Sequence, residues 1–179
     1  MRDAVLYIAS SLDGFIADPD GNIDWLLAFD SSQSSYARFI KSVDTILMGS
    51  TTYMQLITEL SPSIWPYADM EVFVASRQYQ IADNHVTFVQ DPVNLLRMLK
   101  KKEGKTIWIV GGGKLIASLF DADLIDTLIL TTVPVSIGKG IPLFPDKRLK
   151  FNLVKSEILG PFVESTYKII SYNGLPLKG

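Results

Sequence analysis

Short apolar runs alternate along this chain with polar segments in two periods, one typical of strands and one typical of helices. Runs rich in β-branched and aromatic residues predict buried strands, and apolar residues spaced three and four apart predict helices. The predicted strands are residues 4–9, 44–48, 70–75, 86–89, 106–110 and 125–133. The predicted helices are residues 34–42 and 51–60, a helix that begins after the Asp91-Pro92 cap, and one that follows the glycines at 111–113.

The end of the chain has a different pattern. Residues 150–159 and 162–172 are both strand-like, and Gly160-Pro161 between them predicts a tight turn. Strand and helix units followed by such a hairpin predict an α/β fold with a mixed, mostly parallel sheet closed by a C-terminal antiparallel hairpin. No repeat or linker divides the sequence, so we expect residues 1–179 to form one domain.

The junction between the strand at 106–110 and its helix contains Gly111, Gly112 and Gly113. Glycines let the backbone approach a ligand closely, and the N-terminus of a helix favours an anion such as phosphate. A P-loop is excluded, because Leu115 follows Lys114 where a Ser or Thr is required. A Rossmann turn fits poorly, because Ile116 occupies the place of its third glycine. A glycine turn that serves only strand–helix packing remains open.

Composition limits the classes of function. Of the 179 residues, 47% are hydrophobic and 20% charged, and the formal net charge is −2. We therefore expect neither a nucleic-acid nor a membrane partner. Without cysteine and with one histidine, His85, the chain offers no constellation for a metal or a thiol nucleophile. No signal peptide or transmembrane stretch is recognisable, so a cytoplasmic location is expected.

The segments together resemble the dihydrofolate reductase-like family, which includes the reductase domain of the bifunctional riboflavin-biosynthesis protein. The resemblance covers nearly the whole chain and implies a three-layer α/β/α architecture. The motifs that carry it, in chain order, are residues 8–17 (IASSLDGFIA), 44–53 (DTILMGSTTY), 74–77 (VASR), 110–115 (VGGGKL) and 134–144 (PVSIGKGIPLF).

The resemblance implies an NADPH site across the C-terminal ends of adjacent strands. Ser76 and Arg77 match a position that grips the 2′-phosphate of the cofactor, and a cis peptide is expected between Gly111 and Gly112. Ala9 and Ile16 match residues that line the nicotinamide pocket. The cofactor's phosphates are expected at Gly49, Ser50, Thr51 and Thr52, and at Val110, Gly111, Gly112, Gly113, Lys114 and Leu115.

The substrate side of the resemblance is less specific. Ile23 and Trp25 match the substrate pocket and the active-site loop. Asp30 stands where folate reductases place the substrate-binding carboxylate, and a buried acid there would have a raised pKa; alternatively, Asp30 caps the following helix. Asp13 competes as the catalytic acid, or belongs to an ordinary Asp-Gly turn. Glu164, beside the terminal turn, is interpreted as a strand-face charge.

The resemblance implies an NADPH-dependent oxidoreductase that acts on a small heterocyclic substrate, most like the pyrimidine reductase of riboflavin biosynthesis. Residues 68–71 contain no cation where folate reductases hold their substrate's tail. Two alternatives remain: a dihydrofolate reductase of weak or secondary activity, and a nucleotide-binding sensor that has lost catalysis. A homodimer is also expected from the resemblance.

Overall fold

A computed structural model describes residues 1–30, 32, 34–78 and 83–170 of the chain. The described residues form a large sheet, a small two-stranded ribbon and helices on both faces of the sheet. The strands are β1 (Ala4–Ser11), β2 (Phe15–Ala17), β3 (Val43–Gly49), β4 (Glu71–Ala75), β5 (Thr87–Val89), β6 (Thr106–Gly111), β7 (Thr127–Val133), β8 (Ile141–Pro142), β9 (Lys150–Leu159) and β10 (Phe162–Ile170).

The large sheet has the strand order β5-β4-β3-β6-β1-β7-β10-β9. The strands from β5 to β7 are parallel to their neighbours, whereas β10 pairs antiparallel with β7 and β9 pairs antiparallel with β10. The terminal hairpin turns at Gly160, which has a φ of +61°. The predicted mixed sheet with a C-terminal antiparallel hairpin is therefore confirmed.

Helices cover both faces of this sheet. They are α1 (Asp24–Leu27), α2 (Tyr36–Phe39), α3 (Ser50–Gln55), α4 (Pro92–Lys101) and α5 (Gly113–Asp121). Leu96 of α4 and Ile116 of α5 belong to the core cluster on one face, while Phe39 of α2 and Tyr53 of α3 belong to the cluster on the other. The three-layer α/β/α prediction is confirmed.

Local sequence signals place several helix ends. The carboxylate of Asp91 accepts a hydrogen bond from the backbone N–H of Asn94 at 2.9 Å, and Pro92 is the first residue of α4, as predicted. The predicted helix 34–42 is shorter, because α2 gives way to a 3₁₀ turn at Ile40–Ser42. The predicted helix 51–60 begins one residue earlier and ends in a π-helical turn, Leu56–Leu60.

Several elements were not predicted. No strand was predicted between residues 10 and 43, but this part of the chain contains β2, which pairs antiparallel with β8, and α1 follows β2. These elements are two to four residues long, so their sequences show no periodicity, and contacts with the rest of the fold order them. The last residues of the predicted strand 162–172 lie outside the described residues.

The opposite, N-terminal edge of the parallel strands carries a network of ion pairs. Lys100, in the last turn of α4, is buried, and its Nζ donates to Asp126 at 2.6 and 2.7 Å. Arg2 is also buried and pairs with Asp44. The first pair joins α4 to the segment before β7, and the second joins the chain's start to β3. They lie at the end of the sheet away from the candidate site.

Candidate cofactor and substrate site

The topology of the sheet indicates where a ligand would bind. The adjacent strands β3 and β6 are parallel, but the chain leaves β3 towards β4 on one side and leaves β6 towards β7 on the other. Ligands of open α/β sheets bind outside the carboxyl ends of the strands at such a switch point. Because β3 ends at Gly49 and β6 ends at Gly111, the switch point lies between the two predicted glycine junctions.

The two junctions are in close contact. A Cβ atom built on Gly49 would lie 3.5 Å from the carbonyl oxygen of Gly111 and 3.5 Å from the amide nitrogen of Gly112. A Cβ atom on Gly112 would lie 3.3 Å from Oγ1 of Thr52. The Gly111–Gly112 peptide is cis, as predicted, and Gly111 has a φ of +134°, which favours glycine. The absence of side chains at these glycines therefore lets the two junctions approach each other closely.

The helix after β6 begins at the second of these junctions. Gly112 is the N-cap of α5, and its carbonyl accepts a hydrogen bond from the N–H of Ile116 at 3.0 Å. The first N–H groups of a helix have no intrahelical partner and carry the positive end of its dipole. Lys114 is exposed, whereas the side chain of Leu115 is buried in the core. Leu115 can therefore contribute to a ligand site only through its backbone.

The other predicted cofactor residues lie beside these junctions. Ser50 and Thr51 begin α3 directly after Gly49, and Thr51 is exposed. Val110 is partly buried and packs against the core cluster that contains Tyr53. Ser76 and Arg77 follow the end of β4, which is the neighbour of β3. Arg77 is exposed, so its guanidinium is accessible to an anion at the same sheet edge.

The β2–β8 ribbon covers the start of α5. A Cβ atom on Gly113 would lie 2.7 Å from Cγ2 of Ile141 and 3.8 Å from Cδ1 of Ile16. A further hydrogen bond extends the ribbon, because the N–H of Leu143, just after β8, donates at 3.0 Å to the carbonyl of Gly14, just before β2. Ile16 thus lies next to the glycine junction, where the family resemblance implied a cofactor contact.

Asp13 holds two loops together. Its carboxylate accepts hydrogen bonds from the hydroxyls of Ser11 at 2.6 Å and Ser136 at 2.7 Å, and from the backbone N–H groups of Ile137 and Gly138 at 3.2 and 2.8 Å. These hydrogen bonds hold the pKa of Asp13 well below its ordinary value, and the bonds from the two serine hydroxyls have the largest effect. A carboxylate in this state is ionised near neutral pH and fixes the conformation of the loops around the ribbon.

Asp30 differs from its expected environment. It is exposed, and its carboxylate accepts hydrogen bonds from the backbone N–H and the hydroxyl of Ser32, both at 2.9 Å. Both hydrogen bonds lower the pKa of Asp30, and the bond from the backbone N–H of Ser32 has the larger effect. The expectation of a buried acid with a raised pKa is therefore wrong for Asp30. The expectation of a helix cap is also wrong, because Ser35 is the N-cap of α2.

A buried acid does occur nearby, on β10. Glu164 is 5% exposed, and its Oε2 accepts hydrogen bonds from Tyr7 Oη at 3.2 Å and Thr131 Oγ1 at 3.1 Å. It was interpreted as a strand-face charge, which is wrong. The signal in the sequence was the two-residue period of the strand, which places Glu164 on the same face as the buried Phe162.

Glu164 lies in register with a predicted cofactor residue. Ala9 of β1 is paired with Thr131 of β7, which in turn is paired with Glu164. This row is two residues from the C-terminal end of β1, so it lies near the edge that carries the glycine junctions. Tyr7 lies two residues before Ala9, on the same face of β1, and stacks on Phe39, with ring centroids 4.7 Å apart.

The surroundings of Glu164 affect Tyr7. Burial raises the pKa of the Tyr7 hydroxyl, the hydrogen bond from Ser35 opposes this rise, and the Glu164 charge adds to it. Tyr7 therefore remains a neutral hydrogen-bond donor over the physiological pH range. It holds the Glu164 carboxylate in a fixed orientation.

The predicted substrate-pocket residues lie in the segment over this face. Ile23 is the N-cap of α1 and is partly buried, and Trp25 belongs to α1. Nε1 of Trp25 is buried and has no hydrogen-bond partner among the described residues. A buried donor without a partner costs free energy. A ligand carbonyl that accepted this hydrogen bond would remove that cost.

Comparison with known proteins gives the family. A family model described as the RibD C-terminal domain matches residues 4–163, a range that includes both glycine junctions. The chain belongs to the RibD C-terminal domain family. Membership in the RibD C-terminal domain family confirms the resemblance to the dihydrofolate reductase-like reductases.

Similar proteins extend over the same length. The chain is 39% identical over 173 residues to the uncharacterized protein YwjB of Bacillus subtilis (strain 168), covering 93% of this chain and 97% of YwjB. The structure of a putative riboflavin biosynthesis protein from Shewanella sp. PV-4 is similar, with a TM-score of 0.79, 31% identity, and coverage of 94% of this chain and 99% of that one.

A more distant structure shares the fold. It is a diaminohydroxyphosphoribosylaminopyrimidine deaminase/5-amino-6-(5-phosphoribosylamino)uracil reductase from Thermotoga maritima, with a TM-score of 0.70 and 20% identity. The match covers 94% of this chain and 57% of that longer protein. At this identity the likeness supports the RibD C-terminal domain fold.

Proposed function

We propose that this chain is an NADPH-dependent reductase of a small heterocyclic substrate, and that its reaction most resembles the reduction of 5-amino-6-(5-phosphoribosylamino)uracil. The observation that carries the proposal is the contact between the Gly49 and Gly112 junctions at the switch point of the sheet. Family membership supports it, because RibD reductase domains share this fold.

The residues at the switch point fit a dinucleotide. The pyrophosphate would lie against the backbone of Gly49 and Gly112 and the N-terminus of α5. A side chain at Gly112 would crowd Thr52 of the neighbouring junction. The hydroxyl groups of Ser50 and Thr52 would donate hydrogen bonds to the phosphates, and the guanidinium of Arg77 would pair with a 2′-phosphate. The exposed position of Arg77 beyond β4 supports a preference for NADPH over NADH.

The nicotinamide would lie near Ala9 and Ile16. When bound, NADPH supplies a hydride to an electrophilic carbon of the substrate. The residues of this chain would bind and orient both partners, and the loops tied by Asp13 would hold the β2–β8 ribbon against the start of α5 and help exclude water.

We also propose a homodimer and a cytoplasmic location. The outer hairpin carries exposed apolar side chains: Leu153 is 56% exposed, Val154 60%, Ile158 80% and Val163 44%. Exposed apolar groups on an edge strand favour association with another chain. In the described parts of the chain, no helix is both long and apolar enough to cross a membrane.

Absorbance at 340 nm tests the reductase proposal. Purified protein is mixed with NADPH and either 5-amino-6-(5-phosphoribosylamino)uracil or dihydrofolate, and the oxidation of NADPH is followed. Faster turnover of the aminopyrimidine supports the proposal, and faster turnover of dihydrofolate favours the folate alternative. NADPH binding with no oxidation of either mixture would contradict both assignments and favour a sensor.

A further inference from the structure

Glu164 is a buried acid for which the proposed reaction has no role so far. Its side chain is 5% exposed, and the ion pairs among the described residues do not include it. The neighbouring Glu157, its direct partner across β9 and β10, pairs instead with Arg38 and Lys155. Burying a carboxylate without a cation is costly, so its presence here requires a reason.

The hydrogen bonds of Glu164 leave one side of the carboxylate available. Tyr7 and Thr131 both donate to Oε2, which fills the two acceptor sites of that oxygen. No donor to Oε1 is found in the described ranges. The two hydroxyls therefore orient the carboxylate and leave Oε1 as an acceptor.

The segment that covers Glu164 carries a complementary donor. Phe29, just beyond α1, packs on Phe162, with ring centroids 6.0 Å apart, and Phe162 lies two residues before Glu164 on the same strand face. Trp25 belongs to α1 itself, in the same short segment as Phe29. Nε1 of Trp25 is the buried donor that lacks a partner in the described residues.

We propose that Glu164 is the substrate-binding acid of this site. Its Oε1 accepts a hydrogen bond from a ring N–H or an amino group of a planar heterocycle, and Trp25 Nε1 donates to a carbonyl of the same molecule. Tyr7 and Thr131 are positioning residues that fix the carboxylate. The ligand class is a heterocycle with a lactam edge, as in pyrimidinediones and pterins. The inference rests on the proposed function for the place of the nicotinamide, near Ala9 in the same row.

Direct binding of pterin tests this inference, because pterin has this edge and is fluorescent. The protein is titrated into pterin with and without saturating NADP⁺, and NADPH binding is titrated separately. The variant is Glu164→Gln, and the matched control is Glu157→Gln on the neighbouring strand. Thermal unfolding of each variant reports its folding.

We expect Glu164→Gln to weaken pterin binding about tenfold or more, as loss of a charge-assisted hydrogen bond implies. NADPH affinity should stay within about twofold, and Glu157→Gln should bind both ligands like the wild type. Pterin binding that is equally tight in Glu164→Gln would overturn the inference. If Glu164→Gln does not fold, Glu164→Asp, which keeps the charge but withdraws it by one methylene, is measured against the same thresholds.

The experiment separates this inference from the reductase proposal. If the wild-type protein binds NADPH but not pterin, the role proposed for Glu164 is wrong and the proposed cofactor site is unaffected. Wild-type protein that binds pterin through Glu164 but does not bind NADPH supports the inference on Glu164 and contradicts the proposed function.

Discussion

A Cβ atom on Gly112 would stand 3.3 Å from the hydroxyl oxygen of Thr52. The two residues belong to different strand–helix junctions, which follow β6 and β3. Their proximity turns two separate sequence motifs into a single site at the switch point of the sheet. The proposed NADPH site depends on this relationship.

Arg77→Ala should weaken NADPH binding about tenfold or more and leave NADH binding nearly unchanged, because an arginine–phosphate hydrogen bond is charge-assisted. Calorimetric titration with each nucleotide measures both affinities. Arg97→Ala, at an exposed position on α4, is the matched control and should bind both nucleotides like the wild type. Equal losses for NADPH and NADH in Arg77→Ala would rule out a 2′-phosphate contact.

Asp30→Asn should change the steady-state kcat/KM by no more than about twofold. The carboxylate of Asp30 is exposed and engaged by Ser32, and exposed hydrogen bonds of this kind contribute little to a distant reaction. The assay is NADPH oxidation with the best substrate found. A large fall in kcat with unchanged NADPH affinity would instead identify Asp30 as the catalytic acid that the family resemblance implied.

Asp13→Asn should lower the thermal midpoint by a few degrees at neutral pH. The folded pKa of Asp13 is lowered by its four hydrogen bonds, so its contribution to stability is fully present above the unfolded pKa of about 3.9 and is lost as pH falls below it. The difference between variant and wild type should therefore shrink below about pH 4.

Asp20→Asn, at an exposed position in the turn after β2, is the control for Asp13→Asn and should unfold like the wild type throughout. Thermal unfolding followed by circular dichroism at several pH values provides the comparison. A difference between Asp13→Asn and wild type that is constant from pH 7 to pH 3 would contradict the role assigned to the ionised carboxylate.

Ile158→Glu should convert the proposed homodimer to a monomer, because it places a charge among the exposed apolar groups of β9 and β10. Light scattering coupled to size-exclusion chromatography measures the mass in solution. Ile64→Glu is the control, since Ile64 is 74% exposed and Ile158 is 80% exposed, but Ile64 lies away from the hairpin. A wild-type monomer, or a dimer that Ile158→Glu leaves intact, would contradict this interface.

The parts of the fold that local sequence determines could be predicted. The buried run before Gly111, the helix after Gly113 and the Asp91-Pro92 cap each have a short-range physical cause, and each was predicted within one or two residues. The family resemblance implied that both glycine junctions serve one NADPH site, but it did not predict the close contact between Gly49 and Gly112. It could not be derived from spacing alone, because it depends on which strands become neighbours.

The roles of the acidic residues could not be predicted in the same way. Asp30 and Glu164 are both carboxylates beside turns, and only the packing of β10 against β7 buries Glu164 beside Thr131. Lys100 shows the same limitation, because its partner Asp126 is distant in the sequence. Burial and partners of charged residues are tertiary properties, whereas periodicity reports the element on which they lie.

Titration of wild-type protein and Gly112→Ala with NADPH tests the central claim most directly. The claim predicts saturable binding by the wild type, and an affinity reduced at least about tenfold by the added methyl group, which would enter the space between Gly112 and Thr52. The thermal midpoints should stay similar, so that the loss reports the site. The absence of saturable wild-type binding, or equal affinities for the two proteins, would contradict an NADPH site at the paired glycine junctions.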